Sequence, residues 1–325
     1  MGGGPTTPEL VAAVANAGGI GFLAAGYKTV DAMQSDMAAV RGAAGGSFGV
    51  NVFLPQPKAD PAVVETYLRT LEPDARRLDT TVAHPLWDHD NYPGKVEALL
   101  ADPPPIVSFT FGCPEPDVVA AFRDVGTVVA VTVTRPEEAA AAAAAGADSL
   151  CVQGIEAGAH QGGFANEDGP GQDFGLLALL GEVQRVCDLP MIAAGAIGGP
   201  RAVAAVFAAG AVAAQVGTAL LRCPESGAHP VYKAALVDER FTVTALTRAF
   251  SGRRARGLVN RFMRDHPDAP AAYPEINNAT RPLRAAAAAQ GDADGMSLWA
   301  GQAFRNTTDR PAAEVVELLA KGAGS

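Results

Sequence analysis

The chain has 325 residues, of which 48% are hydrophobic and 18% charged, and its net charge is −10. That composition excludes extensive disorder and describes one large domain with a substantial core. The acidic balance argues against nucleic acid and anionic membrane surfaces as partners, since both attract basic faces.

No run of eighteen apolar residues is present to span a bilayer, and the N-terminus lacks the basic and apolar regions of a secretion signal. Cys113, Cys151, Cys187 and Cys223 are scattered, with no CxxC pair. That spacing predicts reduced thiols in a cytoplasmic protein, with no metal site and no disulfide framework. Cys113 and Cys151 lie in apolar strand context and read as packing.

The chain opens on a glycine turn, Gly2-Gly3-Gly4-Pro5, that runs into a helix over 8–16. Thr7 is placed as its N-cap, with Pro8 at the first helical position. After Gly18-Gly19, residues 20–25 read as a strand. A helix near 29–41 precedes a strand over 48–54, FGVNVFL. A proline-punctuated stretch with helices at 61–74 and 92–101 leads to a strand at 106–111. Helices at 115–125, 135–145, 176–186 and 200–209 then alternate with strands at 128–133, 149–152, 191–194 and 213–219. Gly18, Gly126, Gly146 and Gly210 recur as helix stops, the position at which a left-handed residue ends a helix.

Strands alternating with helices imply a parallel α/β sheet. Seven such strands predict a (β/α)8 TIM barrel lacking its first strand in this chain, with Met1 an internal methionine of a longer reading frame. An open doubly wound sheet competes, but no GxGxxG follows a first strand. A barrel needs roughly 250 residues, so the barrel is assigned to 1–222. Helical patterns at 230–237, 241–249, 260–263, 285–289 and 296–302, with no strand pair among them, make 223–302 a helical subdomain over the barrel mouth. Residues 303–325 carry a last helix, 312–321, that returns to the barrel. The helical faces show no clear interface stripe; a homodimer is compatible with them.

The stretch AGADSLCVQGIEAGAHQGGF, 145–164, ends a buried strand in a glycine-rich loop holding His160. Loops at the C-terminal ends of barrel strands carry the chemistry, and an imidazole there serves as acid, base or hydrogen-bond donor. Glu156 reads as an anchor for the loop, ahead of a catalytic carboxylate. His84, His89, His229 and His266 read as surface residues. Gly195-Ala196-Ile197-Gly198-Gly199 opens a helix after one strand, and Gln215-Val216-Gly217-Thr218 ends the next. The pair is spaced for a phosphate site, or for ordinary tight connections. Asn51, a polar residue in an apolar strand, either meets a ligand or is satisfied structurally. The basic run LTRAFSGRRARG reads first as a solvated face, second as a contributor to anion binding. Trp299 is either lid or core.

Taken together, MGGGPTTPELVAAVANAGGIGFLAAGY, FGVNVF, VQGIEAGAHQGGF, PMIAAGAIGG, AAQVGTALLRCPE, TRAFSGRRARG and LWAGQ resemble the nitronate monooxygenase family, formerly called 2-nitropropane dioxygenases. The resemblance spans nearly the whole chain in order. It implies an FMN-containing TIM barrel that oxidises alkyl nitronates with O2 to a carbonyl compound and nitrite. Carried onto this sequence, it puts flavin contacts on Met1, Gly2, Gly3, Asn51, Gln153 and Gly158. The phosphate end falls on Gly195, Ala196, Gln215, Val216, Gly217 and Thr218, and the active-site histidine is His160. Two departures stand out: Ala159 where the family has a second glycine before the histidine, and Ala196 where it has a second glycine in the turn. Alanine at 196 keeps the backbone contacts provided its φ is negative. Rival readings are an FMN-dependent NAD(P)H reductase of enoyl thioesters or quinones on the same barrel, and a non-catalytic flavin-binding barrel.

Overall fold

The computed structural model describes residues 1–167 and 173–324. The strands in chain order are β1 (Gly21–Ala24), β2 (Phe48–Phe53), β3 (Ile106–Thr110), β4 (Val128–Val133) and β5 (Ser149–Gln153). They continue as β6 (Ala159–His160), β7 (Met191–Ala194), β8 (Ala213–Gln215), β9 (Thr244–Thr247) and β10 (Ala255–Leu258). Seven of them pair in parallel in the order β1-β2-β3-β4-β5-β7-β8, and the curled sheet is TIM-barrel-like. The helices that wrap it are α1 (Pro8–Asn16), α2 (Val30–Ala43), α3 (Pro61–Thr70), α4 (Glu72–Arg77), α5 (Tyr92–Ala101), α6 (Pro116–Asp124), α7 (Pro136–Ala144), α8 (Leu176–Gln184) and α9 (Pro200–Ala208). Beyond β8 come α10 (Pro230–Ala235), α11 (Arg261–Asp265), α12 (Glu275–Ala279), α13 (Arg281–Ala289) and α14 (Ala312–Ala320). Among the described residues, no helix is long and apolar enough to cross a membrane.

The local signals act as expected at the helix ends. Thr7 Oγ1 accepts from the Leu10 amide at 3.1 Å, and Pro8 opens α1. Gly146, which ends α7, has φ +91°, and the other three helix stops share this left-handed backbone. Only glycine takes it at no steric cost.

Three apolar cores hold the elements together. One lies between β1–β4 and helices α2, α5 and α6, with Leu23, Met37, Val50, Phe109 and Phe122 buried. A second joins β4, β5 and β7 to α8, α9 and α14, through Leu150, Leu179, Val203 and Val315, so the last helix does return to the barrel. Fully burying each such side chain contributes about 1.5–3 kcal/mol. The third core packs α3 and α4 with residues 228–304, including Tyr67, Leu71, Phe250, Phe262 and Leu283.

That third region is not purely helical, which corrects one expectation. Residues 244–247 form β9, and β10 pairs antiparallel with it on one side and with β6 on the other. Trp299 joins this sheet by a bridge to Gly257, so 296–302 is not the expected helix but starts as extended chain. The helical pattern over 241–249 loses because β10 offers a partner strand, and a β-branched residue such as Thr244 fits a pleated surface.

Candidate active site

The loop after β5 is tied down before His160 is reached. Glu156 accepts the Leu176 amide in both carboxylate oxygens, at 3.0 and 3.1 Å, and so anchors the start of α8. This is the structural role read from the sequence. The Gln153 amide brackets the loop, donating to the His160 carbonyl at 3.2 Å and accepting from the Gly162 amide at 2.7 Å. β6 then pairs with β10, His160 opposite Ala255, and the Gln161 amide donates to the Arg254 carbonyl at 2.8 Å. His160 is thereby held between the barrel and the β9–β10 hairpin.

Aromatic rings surround the imidazole. Phe111, Tyr273 and Trp299 have centroids 5.8, 5.7 and 5.7 Å from it. Phe111 holds φ +75°, a conformation rare for a bulky residue, and Ala159, Ala196 and Tyr27 also have positive φ in loops that follow sheet strands. Such strain persists where surrounding structure over-determines it. Ala196, at +49°, does not meet the negative-φ condition set from the sequence, because its turn takes a left-handed path.

The charges here are the main departure from sequence reading. Arg253, expected on a solvated face, is 1% exposed. Its guanidinium donates to the Gln161 carbonyl at 3.2 Å, to Gln56 Oε1 at 2.6 Å and to the Gly163 carbonyl. It also lies 4.0 Å over the Phe111 ring. Arg284 donates to the Asn277 carbonyl at 2.7 Å, and its Nε is buried without a partner. Among the described residues neither guanidinium has a carboxylate within ion-pair distance. Burial lowers both pKa values to about 10, and both stay cationic. Burial, followed by the charges of Arg253 and Arg284, pushes His160 down to about 3, so its imidazole is neutral at ordinary pH.

The residues singled out in the sequence gather at this end of the sheet. Asn51 donates its amide to Ser108 Oγ and Thr110 Oγ1, both at 2.9 Å, inside the barrel. Register puts Gln153, Ala194 and Gln215 at one level on β5, β7 and β8. Gly195 and Ala196 continue from β7, and Val216, Gly217 and Thr218 from β8. Thr218 Oγ1 accepts the Gly301 amide at 3.0 Å, linking this end to LWAGQ. A Cβ at Gly217 would sit 3.4 Å from the Met1 side chain, and one at Gly2 would sit 3.7 Å from Tyr27 and Phe53, so Met1, Gly2 and Gly3 close the same rim. Gly158 is required by close approach, since a Cβ there would overlap the Ala300–Gly301 backbone.

Sequence reasoning missed Tyr27, Phe111, Ser251, Tyr273 and Arg284, and placed Arg253 outside. Tyr273 donates to the Tyr27 hydroxyl at 3.0 Å, and His160 Nε2 lies 2.8 Å from Ser251 Oγ. The one available signal was Arg253, in a basic run inside an acidic protein. His266 is also buried, bonded to Asp74 at 2.8 Å, whereas His84, His89 and His229 are exposed. Burial works against the Asp74 carboxylate, but His266, Arg77 and Arg261 hold it below the usual range.

A family model described as nitronate monooxygenase matches residues 1–322. A nitronate monooxygenase of Pseudomonas aeruginosa is 41% identical over 329 aligned positions, covering 97% of this chain and 92% of the relative. The solved structure of a nitroalkane oxidase from Streptomyces ansochromogenes superposes with a TM-score of 0.96 at 51% identity, over 100% of this chain and 94% of that one. FabK from Thermotoga maritima superposes at 0.71 with 26% identity, over 100% and 91% of the two chains. Since the match takes in the barrel frame and the residues around His160 together, the chain belongs to the nitronate monooxygenase family of flavin-dependent enzymes.

Proposed function

We propose that the chain oxidises alkyl nitronates, such as propionate 3-nitronate, with O2 to a carbonyl compound and nitrite, using FMN. The observation that carries this reading is a pair of guanidiniums, Arg253 buried and Arg284 half-buried, with no carboxylate at ion-pair distance among the described residues, beside a neutral histidine. An unpaired buried cation costs several kcal/mol. An anion such as a nitronate relieves that cost, whereas a neutral ligand of the same shape does not. The phenyl, phenol and indole rings of Phe111, Tyr273 and Trp299 keep water from the reacting atoms. His160 stays neutral, and with a neutral nitroalkane it would have to remove the α-proton.

The residues fit FMN. The amides of Ala196, Gly217 and Thr218 have no protein acceptor among the described residues, and Ala196 lies four residues before the start of α9, a helix N-terminus that suits a phosphate. Gly195, Gln215 and Val216 would complete that end. Asn51, Gln153, Gly158 and the Met1-Gly2-Gly3 backbone would line the ring end. When bound, FMN supplies the electron transfer, and the chain supplies position and electrostatics.

The domain reading goes with this: 1–222 as the flavin barrel, 223–302 as its cover and 303–325 as the returning segment. The separate apolar core of 228–304 supports it, although α3 and α4 share that core. Four free thiols agree with a cytoplasmic setting.

Anaerobic mixing of the purified flavoprotein with propionate 3-nitronate tests the proposal. Reduction of the flavin by the nitronate, with nitrite released on aeration, is the expected result. A flavin indifferent to the nitronate but bleached by NADPH would replace the proposal with the reductase reading.

A further inference from the structure

Ser251 is buried in the turn between β9 and β10, and its single hydroxyl proton has two candidate acceptors. Oγ lies 2.8 Å from His160 Nε2 and 3.2 Å from the Arg253 carbonyl, and it also accepts the Arg253 amide at 3.3 Å. The Arg253 carbonyl belongs to a buried residue and has no other hydrogen-bond donor among the described residues. If the serine proton goes to Nε2, that carbonyl is left unsatisfied, at about 1–3 kcal/mol. If it goes to the carbonyl, Nε2 must itself carry a proton and donate to Oγ, and all four groups are satisfied. The second arrangement wins. Nδ1 has no hydrogen-bond partner among the described residues, so it becomes the free nitrogen of the ring.

We infer that Ser251 is a positioning residue for His160: it fixes the Nε2–H tautomer and leaves Nδ1 as a lone pair for the ligand. The inference rests on the proposed function and deepens it, because the lone pair matters for one form of substrate only. With a neutral nitroalkane, the α C–H bond breaks, its proton passes to Nδ1, and the bonding pair moves onto the nitro group to give the nitronate beside an imidazolium. A preformed nitronate has no such proton to lose. Ser251 therefore governs use of the acid form more strongly than use of the anion.

The test uses flavin-loaded protein carrying 15N-labelled histidine, with the His160 signals assigned by their loss in His160→Gln. The expected spectrum shows a protonated Nε2 and an unprotonated Nδ1. Ser251→Ala shifts the population toward Nδ1–H, and Ser251→Thr, which keeps the hydroxyl, restores the native pattern. In parallel, Ser251→Ala lowers kcat/KM for nitroethane by about a hundredfold, the scale of a general base, and lowers kcat/KM for ethyl nitronate by a clearly smaller factor. A proton on Nδ1 in the unaltered protein overturns the inference, as does an equal loss for both substrates. Should Ser251→Ala fail to fold, the spectrum of the unaltered protein still decides the tautomer. If neither compound is turned over, the functional proposal fails, and the same spectrum tests Ser251 independently.

Discussion

Ala159 and Ala196 hold φ of +64° and +49°, in loops that pass close to His160 and to the α9 N-terminus. A left-handed alanine costs roughly 1–2 kcal/mol in sterics, part of which glycine gives back as chain entropy. Ala159→Gly and Ala196→Gly are each expected to raise stability by about 0.5–1 kcal/mol, read as a higher urea midpoint at unchanged slope. Arg253 makes the opposite case, where charge outweighs backbone. Arg253→Met should raise KM for a nitronate about tenfold, the equivalent of 1.4 kcal/mol, and raise the pKa of His160 when followed by NMR. Arg253→Lys should not restore KM, because one ammonium cannot span two carbonyls and the Gln56 amide. These three residues also mark how far the sequence could be read. Glycine-to-alanine departures are visible in a string of letters, but their φ is not. A basic run is visible too, but not that Arg253 and Arg256 lie buried while Arg254 between them is only half-buried.

At the level of elements, the site depends on three segments meeting: the loop after β5, the β9–β10 hairpin and the chain around Trp299. Gly158 lies at that junction. A methyl there would press on the Ala300 carbonyl carbon, 2.6 Å away, and on the Gly301 amide that bonds Thr218. Backbone cannot yield as a side-chain tip can, so Gly158→Ala should cost about 1–3 kcal/mol and weaken flavin retention, measured by thermal melting and by the flavin-to-protein absorbance ratio. The helix–glycine–strand units were legible because capping and stop signals are local. The hairpin was not, since its stability comes from pairing with β6, about a hundred residues earlier in the chain.

Over the whole molecule, an acidic protein of net charge −10 holds two cations, Arg253 and Arg284, beside His160. Salt shortens the Debye length from about 10 Å at 0.1 M to about 3 Å at 1 M, but it screens surface charges far more than buried ones. KM for a nitronate should therefore not rise with ionic strength, because the cations that hold it are buried and only the acidic surface is screened. Acid stability tests the same field. The folded pKa of His160 is about 3, against 6.5 for the ordinary side chain. Between those values the unfolded chain takes up a proton that the native state refuses. Stability then falls on acidification below pH 6.5, by up to about 1.4 kcal/mol per pH unit, with no contribution above it. Urea unfolding at pH 7 and pH 5 should show the loss, and His160→Gln should reduce it. Asp74, held below the ordinary carboxylate range, adds its own loss only at lower pH.

The sequence by itself determined the barrel frame, the histidine loop and the rim glycines, because helix stops, strand runs and glycine turns are written in neighbouring residues. Only the tertiary structure decided the environment of the histidine. Its aromatic walls, its serine partner and the two guanidiniums whose charge it feels come from positions as far apart as Phe111 and Arg284. Burial, which sets their charge states, is a property of the folded whole.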